Sequence, residues 1–174
     1  MKYRWLAIIP ALFLNTTFNA GTLSAQTEHD PNQAVPSLTV APGLQATLFA
    51  SEPKISSPSS MDVDSQGRVW ICEVVNYRSN LHGIPTRKEG DRILILEDTN
   101  ADGKADKTTV FYQGNEINGS QGICVLGNKV IVAASPNVFL FTDENNDGKA
   151  DKKELLFKVA GGEHDHSAHT SIFG

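Results

Sequence analysis

The sequence predicts an all-β chain, and three observations carry that expectation. The first is a repeat. Asp98-Thr99-Asn100-Ala101-Asp102-Gly103-Lys104-Ala105-Asp106 returns 45 residues later as Asp143-Glu144-Asn145-Asn146-Asp147-Gly148-Lys149-Ala150-Asp151. The second is what surrounds each copy: an alternating apolar run before it (Ile93–Leu96, Val138–Phe141) and an apolar segment after it (Val110–Tyr112, Leu155–Phe157). The third is that no apolar 3.6-residue period persists for ten residues, while short strand-like runs and Gly, Asn and Asp turns recur. A period in the forties built of strands and turns points to the blades of a β-propeller.

The two acidic turns have the spacing of a cation loop. Oxygen-bearing side chains at positions 1, 3, 5 and 9 (Asp98, Asn100, Asp102, Asp106; Asp143, Asn145, Asp147, Asp151) can converge on one hard cation. The carbonyls of Lys104 and Lys149 add an oxygen at position 7, and Gly at position 6 permits the sharp turn. Such an irregular oxygen shell suits Ca²⁺ better than Mg²⁺. Glu154 completes an EF-hand pattern, but the flanks are strand-like where an EF-hand needs helices, and Thr109 stands where the first copy would need its closing Glu. The competing reading is a polar hairpin turn with no metal, since Asp, Asn and Gly favour turns unaided.

From the start of the chain, Lys2 and Arg4 precede an apolar run from Leu6 to about Phe18, interrupted by Pro10 and Asn15. Leu23-Ser24-Ala25 follows as a cleavage site before Gln26. Residues 1–25 read as a secretory signal peptide, with an uncleaved membrane anchor as the alternative, so the expected location is periplasmic or extracellular. Removing Lys2 and Arg4 takes the formal charge from −5 to −7. With no basic patch, nucleic acid is excluded as a partner.

Residues 26–37 read as a polar linker and 38–174 as a partial propeller. Two strand-like segments (Leu38–Val40, Ala46–Ala50) lead into a Ser/Pro-rich loop, 51–60. A hairpin, Met61–Asp64 with Arg68–Glu73, recurs as Gly122–Val125 with Lys129–Ala133. These hairpins are 61 residues apart against 45 for the acidic loops, so 16 residues are inserted between Asn76 and Asp91. That insertion carries Tyr77, Arg78 and His82, which either face a ligand or sit on a solvated loop. About three blades fit in this length, fewer than the four to eight of propellers. The expectation is therefore the N-terminal part of a longer protein. Cys72 and Cys124 lie in strand-like runs and match neither zinc nor haem spacing, so a disulfide and two buried thiols both remain open.

A second cluster, Glu163-His164-Asp165-His166 with His169, allows a transition-metal site, a general base or a hydrogen-bonded polar loop.

The acidic turns resemble the calcium loops of integrin-type propeller blades. Leu38 to Gly174 as a whole resembles the N-terminal propeller of the planctomycete and verrucomicrobial membrane-bound dehydrogenase family, related to the soluble quinoprotein glucose and sorbosone dehydrogenases. The residues carrying the likeness are Ala41-Pro42-Gly43-Leu44, Leu48 to Pro53, Met61 to Asp64, Gly67 to Trp70, both acidic loops, and Glu163 to His166 leading to Ile172-Phe173-Gly174. The resemblance implies a six-bladed propeller, a sugar or alcohol substrate and pyrroloquinoline quinone (PQQ) as cofactor. It puts His166 at the base position, taking the proton of a C–OH as hydride passes to the quinone, with Asp165 orienting the imidazole. It matches Gln121 loosely to a quinone contact and gives His164 and His169 no counterpart. It also implies a C-type cytochrome module elsewhere in the full-length protein. The alternative function is a non-catalytic, calcium-stabilised propeller that binds carbohydrate or protein.

Overall fold

In this computed structural model the described residues are 30–77 and 87–159. The chain divides into two compact units, Met1–Asp30 and Pro31–Gly174, and every described strand belongs to the second. The expected signal peptide lies outside the described residues. Among those residues no helix is long and apolar enough to cross a membrane.

Among the described residues eight strands form two four-stranded antiparallel sheets, each a simple meander. The first has the order β1 (Pro58–Val63), β2 (Val69–Glu73), β3 (Asp91–Glu97), β4 (Lys107–Gly114). The second has β5 (Gly122–Leu126), β6 (Lys129–Ala134), β7 (Asn137–Thr142), β8 (Lys152–Lys158). The all-β expectation holds, and so does the repeat, because each acidic loop joins the third and fourth strands of its own sheet. Both sheets carry the same irregularity opposite the third strand, between Ile93 and Leu94 and between Val138 and Phe139. The long connection also falls where the 61-against-45 mismatch requires. It runs between β2 and β3, whereas β6 and β7 are joined by Ser135-Pro136 alone.

The sheets stack face to face. Alternation along each strand sends one set of side chains into the seam. Trp70, Cys72, Ile93, Ile95 and Phe111 of the first sheet meet Ile123, Val130, Val132, Phe139 and Phe141 of the second. Phe111 sits edge-on to Trp70 at 4.8 Å between ring centroids, an arrangement that suits the quadrupoles of both rings. The opposite face of the first sheet (Ile71, Leu94, Leu96, Ala105) is covered only in part, by Phe49, Ala50 and Ile55. Strands β1 and β5 run side by side in the same direction: the Ser59 hydroxyl donates to the Ser120 carbonyl at 2.6 Å, and Asp62 accepts the Val125 N–H at 2.7 Å. The two meanders therefore have the same ends.

Four expectations change. Leu38–Val40 and Ala46–Ala50 form no strand, because a strand needs a ladder partner and neither has one among the described residues. Pro58–Ser60, read as loop, opens β1, with Pro at the first strand position where no ladder donor is needed. The predicted linker contains one helical turn, α1 (Pro31–Ala34), with Pro at the first helical position. The described residues make two sheets where about three were expected.

Candidate functional site

The shared direction of the sheets sorts the polar residues into two ends. At one end lie the β1–β2 and β5–β6 turns and both acidic loops. At the other lie the long β2–β3 connection, the 3₁₀ turn Asn115–Ile117 with the segment to Gln121, and the point where β8 releases the chain.

At the acidic-loop end the two copies have matching geometry. Asp98 accepts the N–H groups of Asp102 and Gly103 at 3.2 and 2.8 Å, and Asp143 accepts those of Asp147 and Gly148 at 3.2 and 2.9 Å. Asn100 and Asn145 accept from Asp102 and Asp147, and those two aspartates accept the N–H of Lys104 and Lys149, all near 2.9–3.0 Å. Gly103 and Gly148 both sit at φ +83°, a conformation that an L side chain would strain. The position-9 carboxylates turn back to the loop start, Asp106 to the N–H and hydroxyl of Thr99, Asp151 to the N–H of Glu144. Burial would raise the Asp98 carboxyl, but the N–H groups of Gly103, Asp102, Ala101 and Asn100 outweigh it and hold it below the usual carboxylate range.

Each side-chain oxygen of Asn100, Asp102, Asn145 and Asp147 accepts one N–H within its loop and has a second lone pair, so the donor chemistry fits Ca²⁺. Among the described residues no three His, Cys, Asp or Glu side chains converge on one point suited to a metal. A cation in either loop would thus need the amide oxygen of Asn100 or Asn145 and the carbonyl of Lys104 or Lys149 as well.

The β1–β2 turn at the same end is closed by Asp64. It accepts from the backbone of Gln66 and Arg68, from Arg68 Nε at 2.6 Å and from Trp70 Nε1 at 2.9 Å. Burial pushes its carboxyl upward, yet these four donors together leave it lowered.

The other end is organised by two fully buried carboxylates, Glu73 closing β2 and Asp91 opening β3. Glu73 accepts the Ser56 N–H at 2.8 Å, Arg87 Nη1 at 2.9 Å and Arg92 Nε at 2.6 Å. Asp91 accepts the N–H groups of Asn76 and Gly119 at 3.0 and 2.9 Å. Asn118 Oδ1 receives the Asp91 N–H and the Asn76 side-chain amide, and Asn76 also clasps the backbone of Arg87 from both sides. Burial raises the Asp91 carboxyl against those two N–H groups and the Arg87 charge, and the Glu73 charge adds to the rise. Gly90 admits no side chain here: a Cβ would stand 2.1 Å from the Gly114 carbonyl carbon. Both feet of the β2–β3 connection are thereby fixed against residues 115–119, the approach to Gln121.

Gln121 is half-buried at the start of β5, its N–H bonded to the Ala133 carbonyl at 2.9 Å. Beside it the Ser120 hydroxyl lies against the Cys72 thiol, which burial pushes up to about 12 despite that contact, with the Asp91 charge adding to the rise. Cys72 and Cys124 are both buried, and neither is part of a disulfide. Val159 N bonds the Pro136 carbonyl at 2.8 Å, so the chain leaves β8 at this same end. His166, Asp165, His164, His169, Arg78 and His82 lie outside the described residues. For a quinone the described residues alone do not make a site. They offer Gln121, but the nearby cations Arg87 and Arg92 are committed to Glu73.

Sequence reasoning missed Glu73, Asp91, Asn76 and Asn118. The signal for Glu73 and Asp91 was a carboxylate terminating an apolar strand run, as in Ile71-Cys72-Glu73 and Asp91-Arg92-Ile93.

Residues 30–173 match the family described as "Domain of unknown function (DUF7133)". No curated protein matches the chain. Among solved structures, the "Holo form of Pyranose Dehydrogenase PQQ domain from Coprinopsis cinerea" is similar at a TM-score of 0.46 and 16% identity, over 68% of this chain and 24% of that one. The "Calcium structure of Trichoderma reesei Carbohydrate-Active Enzymes Family AA12" is similar at a TM-score of 0.47 and 16% identity, over 67% and 26%. The chain spans about a quarter of the length of these structures.

Proposed function

The chain belongs to the DUF7133 family, and from that footing we propose that it is the N-terminal part of an exported, quinoprotein-like dehydrogenase acting on a sugar or alcohol. In this reading the two meanders are successive blades of a propeller. One observation supports it most. The Asp91–Asn118–Asn76 clasp fixes the feet of the β2–β3 connection against the approach to Gln121, at the end where β8 hands the chain on towards His166. The described feet of the β2–β3 connection, the approach to Gln121 and the last residues of β8 thus share one end, and a rigid scaffold under connecting segments is the arrangement in which binding residues concentrate.

Oxidising C–OH to C=O releases a proton and a hydride. His166 would take the proton, with Asp165 holding its imidazole, and the hydride needs an acceptor of the quinone type. The acidic loops, at the opposite end, serve the scaffold and not the reaction. The test is dye reduction by the natural mature polypeptide supplied with PQQ, Ca²⁺ and a panel of sugars and alcohols. Quinone-dependent turnover lost in His166→Ala, with the fold intact, supports the reading. A correctly folded protein with no turnover favours the non-catalytic propeller that binds carbohydrate or protein.

A further inference from the structure

Thr47 to Ala50 reproduce the contacts that β4 makes one unit later. Ala105 donates its N–H to the Phe49 carbonyl at 2.8 Å, and Ala150, its counterpart 45 residues on, donates to the Phe111 carbonyl at 3.0 Å. A Cβ at Gly103 would lie 3.7 Å from the Thr47 hydroxyl, and one at Gly148 would lie 3.5 Å from the Thr109 methyl. Thr47 and Phe49 thus stand to the first acidic loop as Thr109 and Phe111 stand to the second, and both equivalent pairs are 62 residues apart. The apolar packing repeats as well. Phe49 and Ala50 lie on the cluster of Ile71, Leu94, Leu96 and Ala105. Phe111 and Tyr112 lie with Val132, Phe139, Phe141 and Ala150, the equivalent positions of the second sheet.

The two places differ in what stands beside them. Phe111 belongs to a strand paired with β3 and shares its face with Trp70, Cys72, Ile93 and Ile95. Ala46–Ala50 has no strand pairing among the described residues. Where neighbours of that kind would stand there is an apolar groove of about 380 Å³ lined by Phe49, Ile55, Met61, Ile71 and Leu96. Met61 is 62% exposed and Val63 52% exposed, although both lie in a strand.

We propose that Ala46–Ala50 is the outermost strand of a further four-stranded unit, whose three inner strands come from a later stretch of the same polypeptide and cover this groove. The face that docks resembles the one β2 and β3 turn towards the second sheet, and it buries Met61 and Val63. A second copy of the chain does not fit the vacancy, because its sheets already carry their own fourth strands, β4 and β8, where Ala46–Ala50 lies. The N-terminal segment then joins the start of the protein to a distant part of it and closes the array of sheets. This inference rests on the reading of the chain as part of a longer protein.

The test is amide hydrogen exchange on the natural mature polypeptide, with its mass read first. The alternate amides within Thr47–Ala50 that an outermost strand turns to its one partner are expected to exchange about 100-fold more slowly than that of Gly43 in the preceding turn, as paired strand amides do. Met61→Lys is expected to lower the melting temperature by several degrees, whereas an exposed surface substitution shifts it little. Exchange as fast as that of Gly43, protection that grows with protein concentration, or an unchanged melting temperature in Met61→Lys overturns the strand assignment. A natural polypeptide of residues 26–174 alone overturns the longer-protein reading, and the proposal with it.

Discussion

Asp62 on β1 accepts the backbone N–H of Val125 on β5 at 2.7 Å, so a side chain of one sheet completes the backbone bonding of the next. Neither sheet satisfies that edge alone. Asp62→Ala leaves a partly buried N–H without its acceptor, and such a loss costs about 1–3 kcal/mol. Asp62→Asn, which keeps an acceptor oxygen, should recover most of it. Urea unfolding of the two variants checks the ordering, and an alanine variant as stable as the parent would show that the seam is held by apolar contact alone.

Glu73 is expected to be the more sensitive position. It is fully buried and holds both Arg87 and Arg92. Breaking a buried pair by removing one partner costs about 3–5 kcal/mol, and the partial exposure of both arginines places Glu73→Ala at the lower end. The same variant should free one foot of the β2–β3 connection. Trypsin is then expected to cut after Arg87 at a protein concentration and time that leave the parent whole. Equal cleavage of both would contradict the clasp.

The acid limb of stability follows from Asp64. Its carboxyl is held below the usual range, so the folded state binds fewer protons than the unfolded state as pH falls from about 4, the ordinary Asp value. The stabilisation is full above that value and is lost as pH drops through the folded pKa. Asp64→Asn should therefore be less stable than the parent at pH 7, and the difference should shrink below about pH 4. Asp91 acts with the opposite sign, since its carboxyl is raised: protonating it favours the folded state. An Asp91→Asn variant is expected to lose less stability at neutral pH than Glu73→Ala, because its uncharged amide keeps an acceptor for the Gly119 or Asn76 N–H. Guanidinium titrations across pH 3–7 read both effects.

Calcium is expected to raise the melting temperature, by an amount set by how far its concentration exceeds Kd; a hundredfold excess corresponds to about 2.7 kcal/mol per site. Asp98→Asn combined with Asp143→Asn should abolish the shift, because each aspartate is position 1 of its loop. Mg²⁺ should do less, since it tolerates the irregular shell poorly. An EDTA-treated protein with an unchanged melting temperature, with or without added Ca²⁺, would make the loops metal-free turns closed by their own Asx bonds.

The repeat was legible because its information is local. Asp98 to Asp106 closes on itself through bonds spanning two to seven residues, and its second copy needs nothing from the first. The hairpins were legible for the same reason. What stayed hidden depends on partners far along the chain. Asp91 is explained only by Asn76 and Gly119, and Ser59 only by Ser120. Ala46–Ala50 shows the converse: its strand-like pattern is real, but a strand also requires a partner, and periodicity says nothing about where the partner is. The insertion was placed correctly from two unequal spacings, while the buried carboxylates that hold its feet gave only a weak signal, a charge at the end of an apolar run.

The proposed function assigns the chemistry to the end of the sheets that carries Gln121. The most direct measurement is an absorbance titration of the natural mature polypeptide with PQQ, on the parent, on Gln121→Ala and on Lys107→Gln at the opposite end. Saturable binding that weakens about tenfold in Gln121→Ala, roughly the 1.4 kcal/mol of one hydrogen bond, and is unchanged in Lys107→Gln is the predicted result. A parent that shows no saturable change, or a Gln121→Ala variant that binds as the parent does, would contradict it.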